Sequence, residues 1–144
     1  MSRRRCDQSG SVLMLVPAGI LVLLILAAIA IDGALVLMAQ RDLANRAAAV
    51  SNDLAGAALS DGALYRDGGI LLDEHRAEAY VRLAFDPAHR PDEYESWSGR
   101  ASADGRRVEV VATAEVRYLF APAIPGLPRS TTVVARSIAT MHSR

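Results

Sequence analysis

The chain has 144 residues, 51% of them hydrophobic, and its 16 Arg balance 16 acidic residues, so the formal net charge at pH 7 is zero. This length fits one domain with an appendage and excludes a large two-domain enzyme. The lack of a basic excess argues against a nucleic-acid partner. A single cysteine, Cys6, excludes an internal disulfide framework and a Cys-rich zinc site.

The first predicted element is a membrane-spanning helix over residues 11–31. These 21 positions carry no charge, and thirteen of them are Leu, Ile or Val. A helix of that length measures about 31 Å, which matches the roughly 30 Å hydrocarbon core of a bilayer. The competing interpretation is a buried core helix, for which only about 113 residues would remain as cover. The sequence therefore favours a transmembrane segment.

The charges on either side of this segment predict its orientation. Residues 1–10 hold three Arg against Asp7, whereas residues 32–64 hold four Asp against Arg41 and Arg46. Positive charge collects on the cytoplasmic side of a membrane. We therefore expect residues 1–10 to be a cytoplasmic basic leader in a single-pass protein of the inner (cytoplasmic) membrane, with the C-terminal part extracytoplasmic.

Three fates of the N-terminal segment are compatible with its sequence. It is an uncleaved anchor, or a leader cut by a peptidase between Gly10 and Ser11, or a secretory signal cut after Ala30. The third fate would release a small secreted domain. An apolar core of 7–15 residues is usual for such signals, and this segment is longer.

A helical continuation outside the membrane is predicted over residues 32–60, which are rich in Ala and lack Pro. Its apolar residues recur at spacings of four, three, four and three, which places them in one stripe on a helix. Because many are small, another helix could approach closely. We expect this stripe to pack on the chain's own C-terminal domain, on a neighbouring subunit, or on both. Its members are Leu43, Ala47, Val50, Leu54 and Ala57.

Several of these features occur together in a recognisable order. A basic leader ends in Gly10-Ser11, Pro17 follows within the apolar run, Ala-Ile-Asp-Gly ends the run at residues 30–33, and Arg-x-Leu-Ala-Asn-x-Ala-Ala-Ala covers residues 41–49. Over about residues 8–60 the chain resembles the Tad (tight adherence) family of Flp pilus-assembly proteins, in their TadE/TadG-like N-terminal region. The resemblance implies a membrane-anchored, pseudopilin-like structural or assembly component of a type IV pilus-like or secretion apparatus.

The same resemblance implies partners. These are the membrane, other Tad pilus-assembly proteins and, for cleaved members, a prepilin peptidase acting at Gly10-Ser11. Pseudopilins of this type usually carry Glu at the fifth position after the cut, where this chain has Leu15. A carboxylate is costly in lipid unless it is paired. Its replacement by Leu fits a TadG-like member or a simple anchor better than a cleaved filament subunit.

Residues 61–72 are predicted to be a linker, because Asp-Gly pairs favour turns. A small exported α+β domain is expected over residues 73–144. It begins with a helix over about residues 73–85, with Asp73 as N-cap. Ala77, Tyr80, Val81 and Ala84 form the apolar face of that helix.

Three antiparallel strands complete the predicted domain, over about residues 95–103, 107–119 and 131–141. Asp104-Gly105 is a favourable hairpin turn, and apolar residues alternate with polar ones from Val108 to Tyr118. A long N-terminal helix packed on such a sheet is a pilin-like α+β arrangement.

The segment 120–129 contains three Pro and one Gly and is excluded from a regular strand. Its apolar residues Phe120, Ile124 and Leu127 predict either a packed lid or an exposed partner-binding loop. The second possibility supports an alternative function, a single-span cell-envelope protein-binding module unrelated to pili.

No arrangement typical of an enzyme is found in the sequence. It has no Gly-rich phosphate loop, no Gly-x-Ser-x-Gly and no His-Glu-x-x-His. Its three His residues are scattered and match no metal-ligand spacing. We therefore expect a protein without catalytic residues, bound metal or cofactor.

Overall fold

A computed structural model of the chain describes residues 9–60, 74–104 and 107–140. The architecture confirms the predicted α+β class, with a long N-terminal apolar helix, a second helix and a three-stranded antiparallel sheet. The elements are α1 (Ser9–Ser60), α2 (Glu74–Ala84), β1 (Tyr94–Asp104), β2 (Arg107–Arg117) and β3 (Ser130–Thr140).

The three strands lie in the order β1-β2-β3, and each pair is antiparallel. Alternation of small apolar and polar residues along β2 gives the sheet one buried and one open face. On the buried face, every second residue of β2 from Val108 to Val116 is at most 2% exposed. The open face carries the ion pairs Arg117–Glu95 and Arg136–Glu109, both with an N–O distance of 2.7 Å.

Both helices cover the buried face of the sheet. Helix α1 lies on β2 and β3, and α2 lies on β1. The approach of α2 depends on Gly99, where a Cβ atom would lie 2.4 Å from the Phe85 ring and 2.6 Å from Val81. Beside it, the rings of Phe85 and Trp97 meet edge to face at 5.3 Å. The absence of a side chain at residue 99 therefore lets α2 seat its aromatic end in the core.

Helix α1 is one continuous helix with two different surroundings. Residues 15–31 are exposed, apart from Ala28, which is half-buried. From Asp32 to Leu54, one stripe of the same helix is buried on the sheet. By length and composition α1 can cross a membrane, and only 6% of its apolar window is buried. That low burial distinguishes it from the core helix of a soluble protein.

Some predicted boundaries and faces differ from those observed. Strand β2 ends at Arg117 rather than at residue 119, because the backbone N–H groups of residues 119–121 bind Asp32 instead of extending the sheet. Tyr80, which we expected on the apolar face of α2, is exposed, with its hydroxyl 3.4 Å from an Asp53 carboxylate oxygen. The linker 61–72, Asp73, Gly105 and Met141 lie outside the described residues.

Candidate functional site

The carboxylate of Asp32 joins α1 to the segment between β2 and β3. It accepts hydrogen bonds from three successive backbone N–H groups, those of Leu119 at 2.8 Å, Phe120 at 3.1 Å and Ala121 at 2.8 Å. Asp32 is buried, with 7% of its surface exposed. A buried carboxylate is stable when several hydrogen bonds satisfy its oxygens. Asp32 therefore fixes the position of this segment.

These contacts also determine the ionisation of Asp32, which lies outside the charge-free segment 11–31. Burial alone would raise the pKa of the carboxyl group, but the backbone N–H groups of Phe120, Ala121 and Leu119 lower it, and the net pKa is below its usual value. Hydrogen bonds donated to a carboxylate favour its charged form. The side chain is therefore an anion at neutral pH.

The segment held by Asp32 is a compact loop of residues 118–129, called the Asp32 loop below. Its ends are joined by a 2.9 Å hydrogen bond from the Tyr118 N–H to the Arg129 carbonyl oxygen. Within it, Ala121–Ala123 form one turn of 3-10 helix. Gly126 has a φ of +90°, a conformation that residues with a side chain rarely adopt.

The apolar side chains of the Asp32 loop point away from the core. The exposed fractions are 64% for Leu119, 39% for Phe120, 50% for Ile124 and 48% for Leu127. The predicted partner-loop residues Phe120, Ile124 and Leu127 are therefore all exposed apolar residues of one loop. Of the two arrangements expected from the sequence, these exposures correspond to the exposed loop rather than to the packed lid.

The predicted helix stripe lies on the chain's own sheet. Leu43 and Ala47 are completely buried, and Val50 and Leu54 retain 9% and 4% exposure. Ala57, the last member of the stripe, is exposed. Four of the five residues thus form part of the chain's core, and any neighbouring subunit must contact other surfaces of α1.

A second polar connection ties α1 to β1. The Tyr94 hydroxyl lies 3.2 Å from the Ala39 carbonyl oxygen and 3.0 Å from an Asp42 carboxylate oxygen, and Asp42 also pairs with Arg46 at 2.8 Å. Burial and the neighbouring Asp42 carboxylate raise the pKa of the Tyr94 hydroxyl well above its usual value. The hydroxyl thus stays protonated and donates to α1.

A groove of about 740 Å³ opens between α1 and the adjacent ends of β1 and β2. It lies beside the Asp32 loop, since Leu119 contributes to its wall. Its apolar wall includes Leu35 and Met38, and its charged rim includes Arg90 and Glu93. Among the residues that the structure describes, no three His, Cys, Asp or Glu side chains gather to hold a metal ion.

The candidate cleavage site lies within the first turn of α1, because the helix begins at Ser9, just before Gly10 and Ser11. It is separated from the Asp32 loop by the whole charge-free segment. The structure therefore brings together Asp32 and the loop residues, but not the cleavage site.

Comparison of the chain with models of known protein families, with characterised proteins and with solved structures finds no match in any of the three.

Sequence reasoning missed the role of Asp32 and that of Tyr94. Asp32 was recognised only as the charge that ends the apolar run. One signal was available, since a lone carboxylate beside an apolar segment needs a partner and a Pro-rich loop has N–H groups left unpaired by strands.

Proposed function

We propose that this chain is a membrane-anchored structural or assembly component, pseudopilin-like, of a Tad/Flp-type pilus or secretion apparatus. Its leader lies in the cytoplasm, residues 11–31 cross the inner membrane, and the α+β domain lies outside. The proposal makes the chain a single-pass protein whose partners are other Tad proteins and whose role is not catalytic.

The observation that carries the proposal is the change of surroundings along α1. An apolar helix segment without cover from its own chain needs lipid or another apolar helix around it. The same helix continues, without a break, into the core of a small antiparallel sheet. A helix that is free at one end and packed on a sheet at the other supports a pilin-like arrangement.

The resemblance of residues 8–60 to TadE/TadG-like proteins supports the more specific assignment. Its Ala-Ile-Asp-Gly element contains Asp32, whose carboxylate fastens the exported domain to the helix. An acidic residue at this position is therefore useful in a protein of this architecture, because its carboxylate holds the domain against the helix.

The burial of Leu43 and Leu54 changes where partner contacts should be sought. Substituting them would disrupt the chain's own core. Leu37 and Met38, by contrast, are 59% and 67% exposed on α1, just beyond the charge-free segment. We assign these two residues to lateral contacts with Tad partners.

The test is co-purification of the full-length chain with Tad partners from native membranes, with Leu37→Glu and Met38→Glu introduced together. We expect this double variant to insert into the membrane normally but to co-purify with few or none of these partners. The control is Leu83→Glu on α2, where the side chain is 72% exposed, and it should retain them. Co-purification of no Tad protein with the unaltered chain would contradict the proposal and favour an unrelated envelope module.

The mature N-terminus, measured by intact mass, gives an independent test. A start at Ser11 supports processing by a prepilin peptidase despite Leu15, and a full-length chain supports an uncleaved anchor. A start at Ile31 would contradict membrane anchoring and would favour a secreted domain.

A further inference from the structure

We propose that the Asp32 loop is seated in the headgroup region of the same bilayer that α1 crosses, with Phe120, Ile124 and Leu127 inserted among the lipids. The inference rests on the proposed membrane anchoring, and it assigns the loop a lipid surface rather than a protein partner.

The first argument is the depth at which the loop is held. Asp32 directly follows the last residue of the charge-free segment, and its carboxylate binds the backbone of Leu119 and Ala121 at 2.8 Å. The headgroup region extends about 5–8 Å beyond the hydrocarbon core on each side. One residue of helix advances only about 1.5 Å. A loop bonded to Asp32 is therefore held at the level of the headgroups.

The second argument is the burial of Ala28. It lies one helical turn before Asp32, on the same face of α1, and it is half-buried while all its described neighbours from 15 to 31 are exposed. The part of the chain that covers Asp32 therefore also partly covers Ala28, which belongs to the charge-free segment. A structure that overlaps the end of a transmembrane helix in this way lies at the lipid boundary.

The third argument is the composition of the loop. Residues 118–128 carry no charged side chain, and Arg129 follows them directly and is exposed. Tyr118 stands at the other end, and tyrosine is enriched at membrane interfaces. The apolar tip of the loop can therefore contact lipid acyl chains, while Tyr118 and Arg129 at its base lie at the level of the headgroups, where Arg129 can bind a lipid phosphate.

The fixed backbone of the loop favours insertion. Tyr118 and Arg129 close its neck, and three N–H groups are bound to Asp32. The loop's first N–H groups are thus satisfied before it meets the lipid, where an unpaired backbone group is costly. The exposed apolar side chains are then free to enter the bilayer.

The test places an environment-sensitive dye on the full chain in vesicles of phosphatidylcholine and phosphatidylglycerol. Cys6 is the single native cysteine, so Cys6→Ser provides the background for Leu127→Cys, Leu23→Cys and Ile138→Cys in separate proteins. Lipid quenching is measured with a nitroxide near the lipid headgroup for the dyes at Leu127 and Ile138, and with a nitroxide in the middle of the acyl chain for the dye at Leu23, which lies about 12 Å before the end of the charge-free segment. Quenching by aqueous iodide is measured separately.

Ile138 is a matched control for Leu127, because the two side chains are 47% and 48% exposed. It lies far from the membrane. Its neighbour Ser137 contacts Ser51 at 2.9 Å, and Ser51 lies 19 residues, or about 28 Å, beyond Asp32 along α1.

We expect the dye at Leu127 to be quenched several-fold more by the lipid quencher than the dye at Ile138, and to be protected from iodide. Lipid quenching at Leu23 with iodide quenching at both Leu127 and Ile138 would overturn the inference and leave the anchoring intact. Absence of lipid quenching at Leu23 would overturn the membrane anchoring and the inference together.

A second variant tests whether Asp32 positions the loop. Asp32→Asn, combined with the dye at Leu127, should lower lipid quenching towards the value at Ile138, while the dye at Leu23 is unaffected. Unchanged quenching at Leu127 would overturn the positioning role of Asp32.

Discussion

Residues 15–31 and 32–57 of α1 share one backbone helix but differ in how their apolar residues are arranged. In the first stretch apolar side chains surround the helix, and nearly all are exposed. In the second, a stripe from Ala39 to Leu54 recurs every three or four residues and is buried, whereas Leu37 and Met38 remain exposed. A helix that is apolar all round requires an apolar medium, whereas a striped helix requires only one packed face. The pattern of the apolar residues, rather than their number, separates the two roles.

The largest effect expected from this comparison concerns leucines of the two stretches. Leu43→Ala removes a completely buried side chain and should lower the free energy of unfolding by about 2–5 kcal/mol. Leu23→Ala, at a side chain that is 66% exposed, should leave it unchanged. Trp97, the single tryptophan, is buried in the core, so its fluorescence during urea unfolding in detergent measures both variants. Equal losses of unfolding free energy in the two variants would show that residues 15–31 and 32–57 do not differ in their contribution to the folded core.

The junction of the two stretches gives the next effect. Asp32→Asn replaces the carboxylate that binds three N–H groups and should destabilise the domain by about 1.5–3 kcal/mol at pH 7. Because the pKa of Asp32 is lowered by folding, its ionised form stabilises the folded chain above the unfolded pKa of about 3.9. That contribution is lost as the pH falls from there through the lowered folded pKa.

The difference between the unaltered chain and Asp32→Asn should therefore shrink at acidic pH. Urea unfolding at a series of pH values from neutral to strongly acidic measures it. A difference that stays constant over this range would mean that the charge of Asp32 does not contribute.

Two glycines sharpen the comparison further. Gly99→Ala places a methyl group against Phe85 and Val81 and should cost about 1–3 kcal/mol. Gly33→Ala adds a methyl group with no atom within 4 Å and should stabilise the helix by about 0.5–1 kcal/mol, since alanine is the better helix former. The midpoints of thermal unfolding should move in opposite directions. A midpoint that does not fall for Gly99→Ala would contradict the packing of α2 on β1.

The smallest effect concerns Tyr94. Tyr94→Phe removes the hydroxyl that contacts Ala39 and Asp42 and should cost about 1 kcal/mol. Folding raises the pKa of Tyr94, so its contribution is present below the unfolded pKa of about 10 and is lost as the pH rises above it. The unaltered chain should therefore lose more stability than Tyr94→Phe between pH 9 and about 11. Parallel losses would contradict this assignment.

Local patterns were sufficient to predict most of the fold. The charge-free run, the stripe from Leu43 to Leu54 and the alternation along β2 each depend on residues close together in sequence. These patterns predicted α1, the three strands and the α+β class. These patterns did not indicate whether the stripe packs on the chain's own sheet or on a neighbouring subunit. An apolar stripe shows only that one side of a helix is buried, not what buries it.

The candidate site was less accessible to sequence reasoning. Asp32 and Leu119 are 87 residues apart, and nothing in either local sequence identifies the other as its partner. The three loop residues were found by their apolar character within a Pro-rich segment. Their position beside the end of the charge-free run depends on the antiparallel pairing of β2 with β3, which only the folded chain provides.

The continuity of α1 has a mechanical consequence. All residues from 15 to 57 are helical, and the sheet is fastened to this helix at Asp32, Tyr94 and the Ser51–Ser137 contact. A continuous helix fastened in this way transmits axial force and torque from residues 15–31 to the sheet. A displacement of residues 15–31 by one helical turn, about 5.4 Å, moves the whole sheet by the same amount, and a rotation of these residues turns the open face of the sheet with them.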